Sequence, residues 1–330
     1  MSLTSLLKGS HPTQKEFQAI LREVIPDKKS FLTNSGNKAF SKADYEVLAP
    51  NNLVNNDDSS VVGIAFDYLA RIMIARVVKR NRSESYSNIT AGNGLFVLSR
   101  FLKKHPSKMS RVESEYKKSE ENLIAFANND QNIKGLFVDV CFLAKLERIF
   151  RSGLPPSNIY RESFFDTPGD DVILDLELLC DVFQENFIPT ITPNSDINYN
   201  PHFGIASGFV GGADADIIVD GKLYDFKTGK QVGYNWKEVA QLVGYYLLNE
   251  ISLDVRKEEE IDDSYQYLDI EQLAFYRARY GEVEYIDVSY FDKETIETAK
   301  KQIASYLMKN PMLSKPMVEN LHTLNALASD

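Results

Sequence analysis

The chain is poor in the residues that build metal clusters and disulfide frameworks: two cysteines and four histidines in 330 residues. Cys141 and Cys180 both sit in apolar-periodic surroundings, which predicts buried free thiols in a reducing compartment rather than a bridge. His11, His105, His202 and His322 are scattered, without the i, i+3 or i, i+4 spacing that sets two imidazoles on one helical face. Zinc and di-iron sites are therefore poorly supported. Long apolar runs are also missing. The most apolar stretch, GLFVDVCFLA at 135–144, is too short to span a bilayer and carries Asp139. The amino terminus lacks the apolar core of a signal peptide, so the expected location is cytoplasmic, with no membrane partner.

What is present is an ordinary globular composition. Apolar residues make up 43% of the chain and charged residues 25%, enough for a sizeable core and too apolar for wholesale disorder. The net charge of −10 opposes a protein that grips nucleic acid by charge neutralisation alone. Local patches run the other way: Lys and Arg concentrate in 71–82 and 100–118, while acid concentrates in 254–263.

Helical periodicity predicts elements over 13–24, 61–78, 94–103, 111–127, 173–187 and 236–249, the second of them strongly amphipathic. Residues 50–60 read as a loop. The segment 188–201, with three prolines and three asparagines, reads as a connection rather than an element. Strand character returns over 209–226, and 272–280 with 284–291 reads as a hairpin turned by Gly281. Helices and strands in this order predict an α/β or α+β fold.

The chemistry concentrates in GGADADIIVDGKLYDFKTGK, residues 211–230. Asp220-Gly221 between apolar runs is a strong hairpin signal, because a two-residue type I′ turn needs positive φ at both central positions. Counting outward pairs Val219 with Lys222, Ile218 with Leu223, Ile217 with Tyr224 and Asp216 with Asp225. Alternation then puts Asp214, Asp216, Asp225 and Lys227 on one face, with Ala215, Ile217, Val219, Tyr224 and Phe226 on the other. Two facing carboxylates about 5 Å apart repel by roughly 3 kcal/mol at an effective dielectric near 20. Solvation, a shared proton or a bound cation can offset this. Ile218 and Leu223 share the acidic face and disfavour solvation, so a hard cation with oxygen ligands, Mg²⁺ or Mn²⁺, is the expected solution. Lys227 then lies beside it, as an electrostatic stabiliser or as a base. In the following helix, Glu238, Gln241 and Tyr245 form one partly polar stripe.

The string G-G-x-D-x-D, a short hairpin, D-F-K-T-G and a later Q-x-x-x-Y resembles the RecB-like branch of the PD-(D/E)XK nuclease superfamily. The matching residues are Asp216, Asp225, Lys227, Gln241 and Tyr245, within 211–245. The resemblance implies that Asp216 and Asp225 bind Mg²⁺ or Mn²⁺, that Lys227 assists the attacking water, and that Gln241 and Tyr245 position the strand being cut. Asp214 remains an alternative first acid. Family members often carry G-x-x-x-H on the preceding core helix; here Gly63 is followed by Asp67 at the histidine's place, as a ligand or as a plain helix charge. Two cysteines cannot supply an iron–sulfur cluster.

The resemblance also implies a restriction-endonuclease-like core with a mostly antiparallel or mixed sheet flanked by helices. Its division of the chain would be an N-terminal segment 1–60, a discontinuous core of 61–80 and 201–310, a helical insertion 81–200 and a tail 311–330. A nucleic-acid channel, most simply for DNA, is expected between insertion and core, with Arg80, Arg82, Lys103 and Lys104 along it. Two rival readings stand beside a metal-dependent nuclease. One is a non-catalytic module of the same fold that holds a nucleic-acid end or a partner protein; the other is a glycosyltransferase using Asp214-Ala215-Asp216 as its D-x-D.

Overall fold

The computed structural model describes residues 2–78, 80–87, 89–129, 131–259 and 267–310. The expected tail 311–330 lies outside these. Among the described residues there are ten α-helices and one open six-stranded mixed sheet.

The sheet is made from β1 (Leu32–Thr33), β2 (Ile197–Tyr199), β3 (Ile217–Val219), β4 (Lys222–Lys227), β5 (Gln272–Arg277) and β6 (Glu282–Asp287), in the order β1-β6-β5-β4-β3-β2. Only β4 and β5 run parallel; every other pairing is antiparallel. The parallel pair is bridged by α9 (Trp236–Glu259), a helix that continues ten residues past its expected end at 249. Parallel neighbours require a crossover of this kind, whereas β3–β4 and β5–β6 need only tight turns. Gly281 supplies the second turn with φ of +61°.

The central strands are covered on both faces, and alternation sends their side chains into two cores. Ile217, Val219, Tyr224, Phe226 and Tyr276 enter one. That core is closed by α3 (Asp58–Val77), α4 (Ala91–Phe101), α5 (Pro106–Asn128), α6 (Phe137–Ser152) and α7 (Asp170–Asn186). Ile218, Leu223, Leu273, Phe275 and Ile286 enter the other. It is closed by α1 (Leu3–Lys8), α2 (Pro12–Val24), α8 (Gly204–Phe209), α9 and α10 (Lys293–Lys309). The N-terminal helices belong to this second layer: α1 packs on α2 and α9, and α2 on α10.

Three expectations need correction. The helix at 61–78 is not simply amphipathic: α3 is buried almost continuously from Ala65 to Ala75, because helices cover it on the side away from the sheet. The supposed connection 188–201 contains β2, which pairs Ile197 with Val219 and Tyr199 with Ile217. The strand character of 209–226 is confined to β3 and β4, since α8 runs to Phe209 and Gly211 and Gly212 adopt positive φ. The apolar stretch at 135–144 runs from a 3₁₀ turn into α6, a helix of 16 residues. No helix among the described residues is long and apolar enough to cross a membrane.

Candidate active site

The hairpin forms at the expected place. Asp220 and Gly221 both adopt positive φ, 47° and 76°, and the ladder pairs Val219 with Lys222, Ile218 with Leu223 and Ile217 with Tyr224. Beyond Ile217 the ladder ends. Asp216 is held from the other side, where its carbonyl accepts the Asn200 N–H at 3.1 Å, and its Oδ2 accepts the Phe226 N–H at 2.5 Å. The facing Asp216–Asp225 pair is therefore replaced by a side-chain clasp from Asp216 onto the β4 main chain. Ala215 also departs from expectation. It joins the core of Ile218 and Leu223, because strict alternation starts only at Ile217.

On β4, Asp225 is buried at 6% exposure and shares the face of Lys227. Asp225 Oδ2 touches the Lys227 ammonium yet accepts no hydrogen bond of good geometry. Burial alone would lower the Lys227 pKa, but Asp225, Glu238 and Asp216 outweigh it and raise it. The lysine is therefore a protonated ammonium here, which favours the stabilising role over the basic one.

Helix α9 brings Gln241 and Tyr245 to the same place. Gln241 donates through Nε2 to the Tyr245 hydroxyl at 2.6 Å and to Thr4 Oγ1 at 3.4 Å. Tyr245 is buried and stacked on Phe203, with ring centres 5.1 Å apart. Burial, then the charges of Asp225 and Asp214, push its phenol well above the usual value, so it stays neutral.

Asp67 arrives from α3, on the opposite side of the sheet. Burial and the Asp216 charge raise its pKa well above the carboxylate range, with Arg71 opposing. Asp216 is pushed up to about 7 by burial and by Asp225, against the pull of the Phe226 N–H, Arg71 and Lys227. The structure thus brings Asp67, Asp216, Asp225 and Lys227 into one electrostatic unit. Asp214 turns outward to Arg151, whose Nη2 reaches its Oδ2 at 3.2 Å. Among the described residues, no group of three or more His, Cys, Asp or Glu side chains is arranged to hold a metal ion.

The expected nucleic-acid contacts are less concentrated. Arg80, Lys103 and Lys104 are exposed. Arg82 instead secures the end of α3, donating Nε to the Ala75 carbonyl at 2.9 Å and Nη1 to Asn128 Oδ1 at 3.4 Å. Sequence reasoning missed Arg71, Glu147 and Arg151, which line the α3 and α6 side of the acids. Spacing carried part of the signal: Arg71 follows Asp67, and Arg151 follows Glu147, by four residues, one helical turn each.

Comparison with protein-family models, with curated proteins and with solved structures gives no match.

Proposed function

We propose that the chain is a Mg²⁺- or Mn²⁺-dependent nuclease with a PD-(D/E)XK-like core, hydrolysing the phosphodiester bonds of DNA. The observation that carries this reading is the buried Asp225 carboxylate. It pairs with the Lys227 ammonium through Oδ2, and its charge helps to raise the pKa of Asp216 beside it. Two neighbouring carboxylates beside Lys227 leave excess negative charge, and a hard divalent cation is a partner that would offset it.

Asp216 and Asp225 would hold the ion, with Asp67 at its α3 side. Two carboxylates suffice for Mg²⁺, which commonly keeps several waters and takes only one or two acids from the protein. When bound, such a cation supplies Lewis-acid activation of water and phosphodiester. Lys227 contributes a fixed positive charge where anionic charge develops on the phosphoryl oxygens. Gln241, tied to Tyr245 and Thr4, presents a side-chain amide whose orientation is set before the strand arrives. Asp216 is held by the Phe226 N–H, so its second oxygen keeps a fixed direction.

The test is incubation of the purified chain with linear, circular and single-stranded DNA, and with RNA, in Mg²⁺ and in EDTA. Cleavage that EDTA abolishes supports the reading. Intact substrates under every condition would reject it, and RNA cleavage without DNA cleavage would reject the choice of substrate.

A further inference from the structure

Arg151 lies at the mouth of the acidic site and is held in an unusual way. Its inner edge is fixed: Nε and Nη2 both reach Glu147 Oε1, at 2.7 and 2.6 Å. Glu147 is buried, and its other oxygen accepts the Tyr68 hydroxyl at 2.6 Å. That hydroxyl in turn accepts the Ala91 N–H at 3.3 Å. Three groups from three helices thus orient one guanidinium, although its side chain is 50% exposed.

The outer contact is of another kind. Asp214 Oδ2 stands 3.2 Å from Nη2, beyond the 2.7–2.9 Å usual for a charge-assisted bond, and its side chain is 35% exposed. The inner partner is short and enclosed; the outer one is long and open to displacement. A planar guanidinium with a fixed inner edge and an accessible outer edge suits a phosphate, which it can take in a fork. Arg71 is not an equivalent group. It is buried, its Nη2 binds Asn200 Oδ1 at 3.2 Å, and its charge offsets Asp67 and Asp216.

We propose that Arg151 grips a backbone phosphate of the bound strand, and that Asp214 occupies the place of that phosphate in the free protein instead of holding a cation. The proposal rests on the nuclease reading for its substrate and deepens it by dividing the two acids of Asp214-Ala215-Asp216: Asp216 serves the cation, Asp214 serves the arginine. Glu147 and Tyr68 are positioning residues, acting only through Arg151.

The experiment compares the parent with Asp214→Asn, Arg151→Met and Arg151→Lys, using fluorescence anisotropy of a labelled single-stranded DNA oligonucleotide in EDTA across a salt series. Cleavage in Mg²⁺ is then followed for KM and kcat. Asp214→Asn should bind the oligonucleotide several-fold more tightly and keep its metal-dependent cleavage, with a lower KM. Arg151→Met should weaken binding roughly tenfold or more, since a hydrogen bond to a charged group contributes about 1.5–3 kcal/mol. Its salt slope should fall by about 1. Arg151→Lys should restore part of the slope but not the full affinity. If Asp214→Asn binds no more tightly, or loses cleavage as completely as Asp225→Asn, the placeholder role is wrong. Because Asp214→Asn leaves the Glu147–Arg151 pair intact, it remains informative even if Arg151→Met unfolds. Failure of the nuclease reading looks different: the binding differences persist in EDTA while no variant, and not the parent, cleaves anything.

Discussion

Asp216 clasps the main chain of the neighbouring strand through Phe226, whose N–H donates to its carboxylate at 2.5 Å. This single bond fixes the leading acid of the hairpin where the ladder has already ended. It also opposes, without overcoming, the burial and the Asp225 charge that raise its pKa to about 7 from an ordinary 3.8.

A pH dependence follows for the metal-free protein. Below the ordinary carboxylate pKa, Asp216 is protonated in both folded and unfolded chains and costs nothing. As pH rises through 3.8 the unfolded chain ionises freely while the folded one does not, so stability falls until pH passes about 7. Asp216→Asn keeps an acceptor for Phe226 but removes the charge. Measured by thermal unfolding in EDTA, this variant should gain on the parent as pH rises from 4 to 8, and the gain should vanish at the acid end. A constant difference across that range would show that Asp216 is not strained by its charge.

The buried pair of Arg279 and Asp175 ties the end of β5 to α7. Its bonds are 2.9 and 2.6 Å, and Arg279 Nε also holds the Thr228 carbonyl, one residue past Lys227, at 2.6 Å. Arg279→Met leaves a buried carboxylate without its partner and should cost about 3–5 kcal/mol in urea unfolding. Adding Asp175→Leu should recover much of the loss, since an apolar pair avoids the desolvation that the charges endure. A single-variant cost below 1 kcal/mol would contradict the buried pairing.

Helices α4 and α6 cross closely. A Cβ at Gly94 on α4 would lie 2.2 Å from the Leu146 carbonyl on α6, so any side chain there forces the helices apart. Gly94→Ala should destabilise the fold by roughly 1–3 kcal/mol. Gly233→Ala, where a Cβ meets nothing within 4 Å, serves as the control and should be near neutral. Equal stability of the two variants would rule out the tight crossing.

Much of this arrangement is legible in the sequence, for local reasons. Asp220-Gly221 announces its turn because positive φ at two successive positions is available cheaply to few dipeptides, and the pairing of Val219 with Lys222 follows by counting. The helices α2, α5 and α7 show their apolar periods within a few residues of their true limits. What is lost is whatever depends on distant partners. β2 is a three-residue strand among prolines and asparagines, and only the edge of β3 makes it a strand. Asp216 was expected opposite Asp225, but counting cannot register that the chain leaves the ladder one residue earlier to meet Asn200. Nothing near Arg151 in sequence links α6 to Asp214, 63 residues away.

Lys227 is held as an ammonium by its acidic neighbours, so its expected service is charge stabilisation rather than proton abstraction. Lys227→Met should lower kcat by about 10²–10³-fold, the usual cost of losing one preorganised donor at a developing anion. Lys227→Arg, which retains the charge, should keep more activity than Lys227→Met. Equal kcat values for the parent and Lys227→Met, in Mg²⁺, would remove the lysine from the reaction.

Everything chemical depends on the hairpin end taking up a small dication. Calorimetric titration of Mn²⁺ into the parent and into Asp225→Asn, with thermal unfolding to check that both are folded, reads this directly. The expected result is one site in the parent, lost or weakened at least tenfold in Asp225→Asn, about 1.4 kcal/mol or more in binding free energy. No uptake by the parent, or the same uptake by both, would contradict the site.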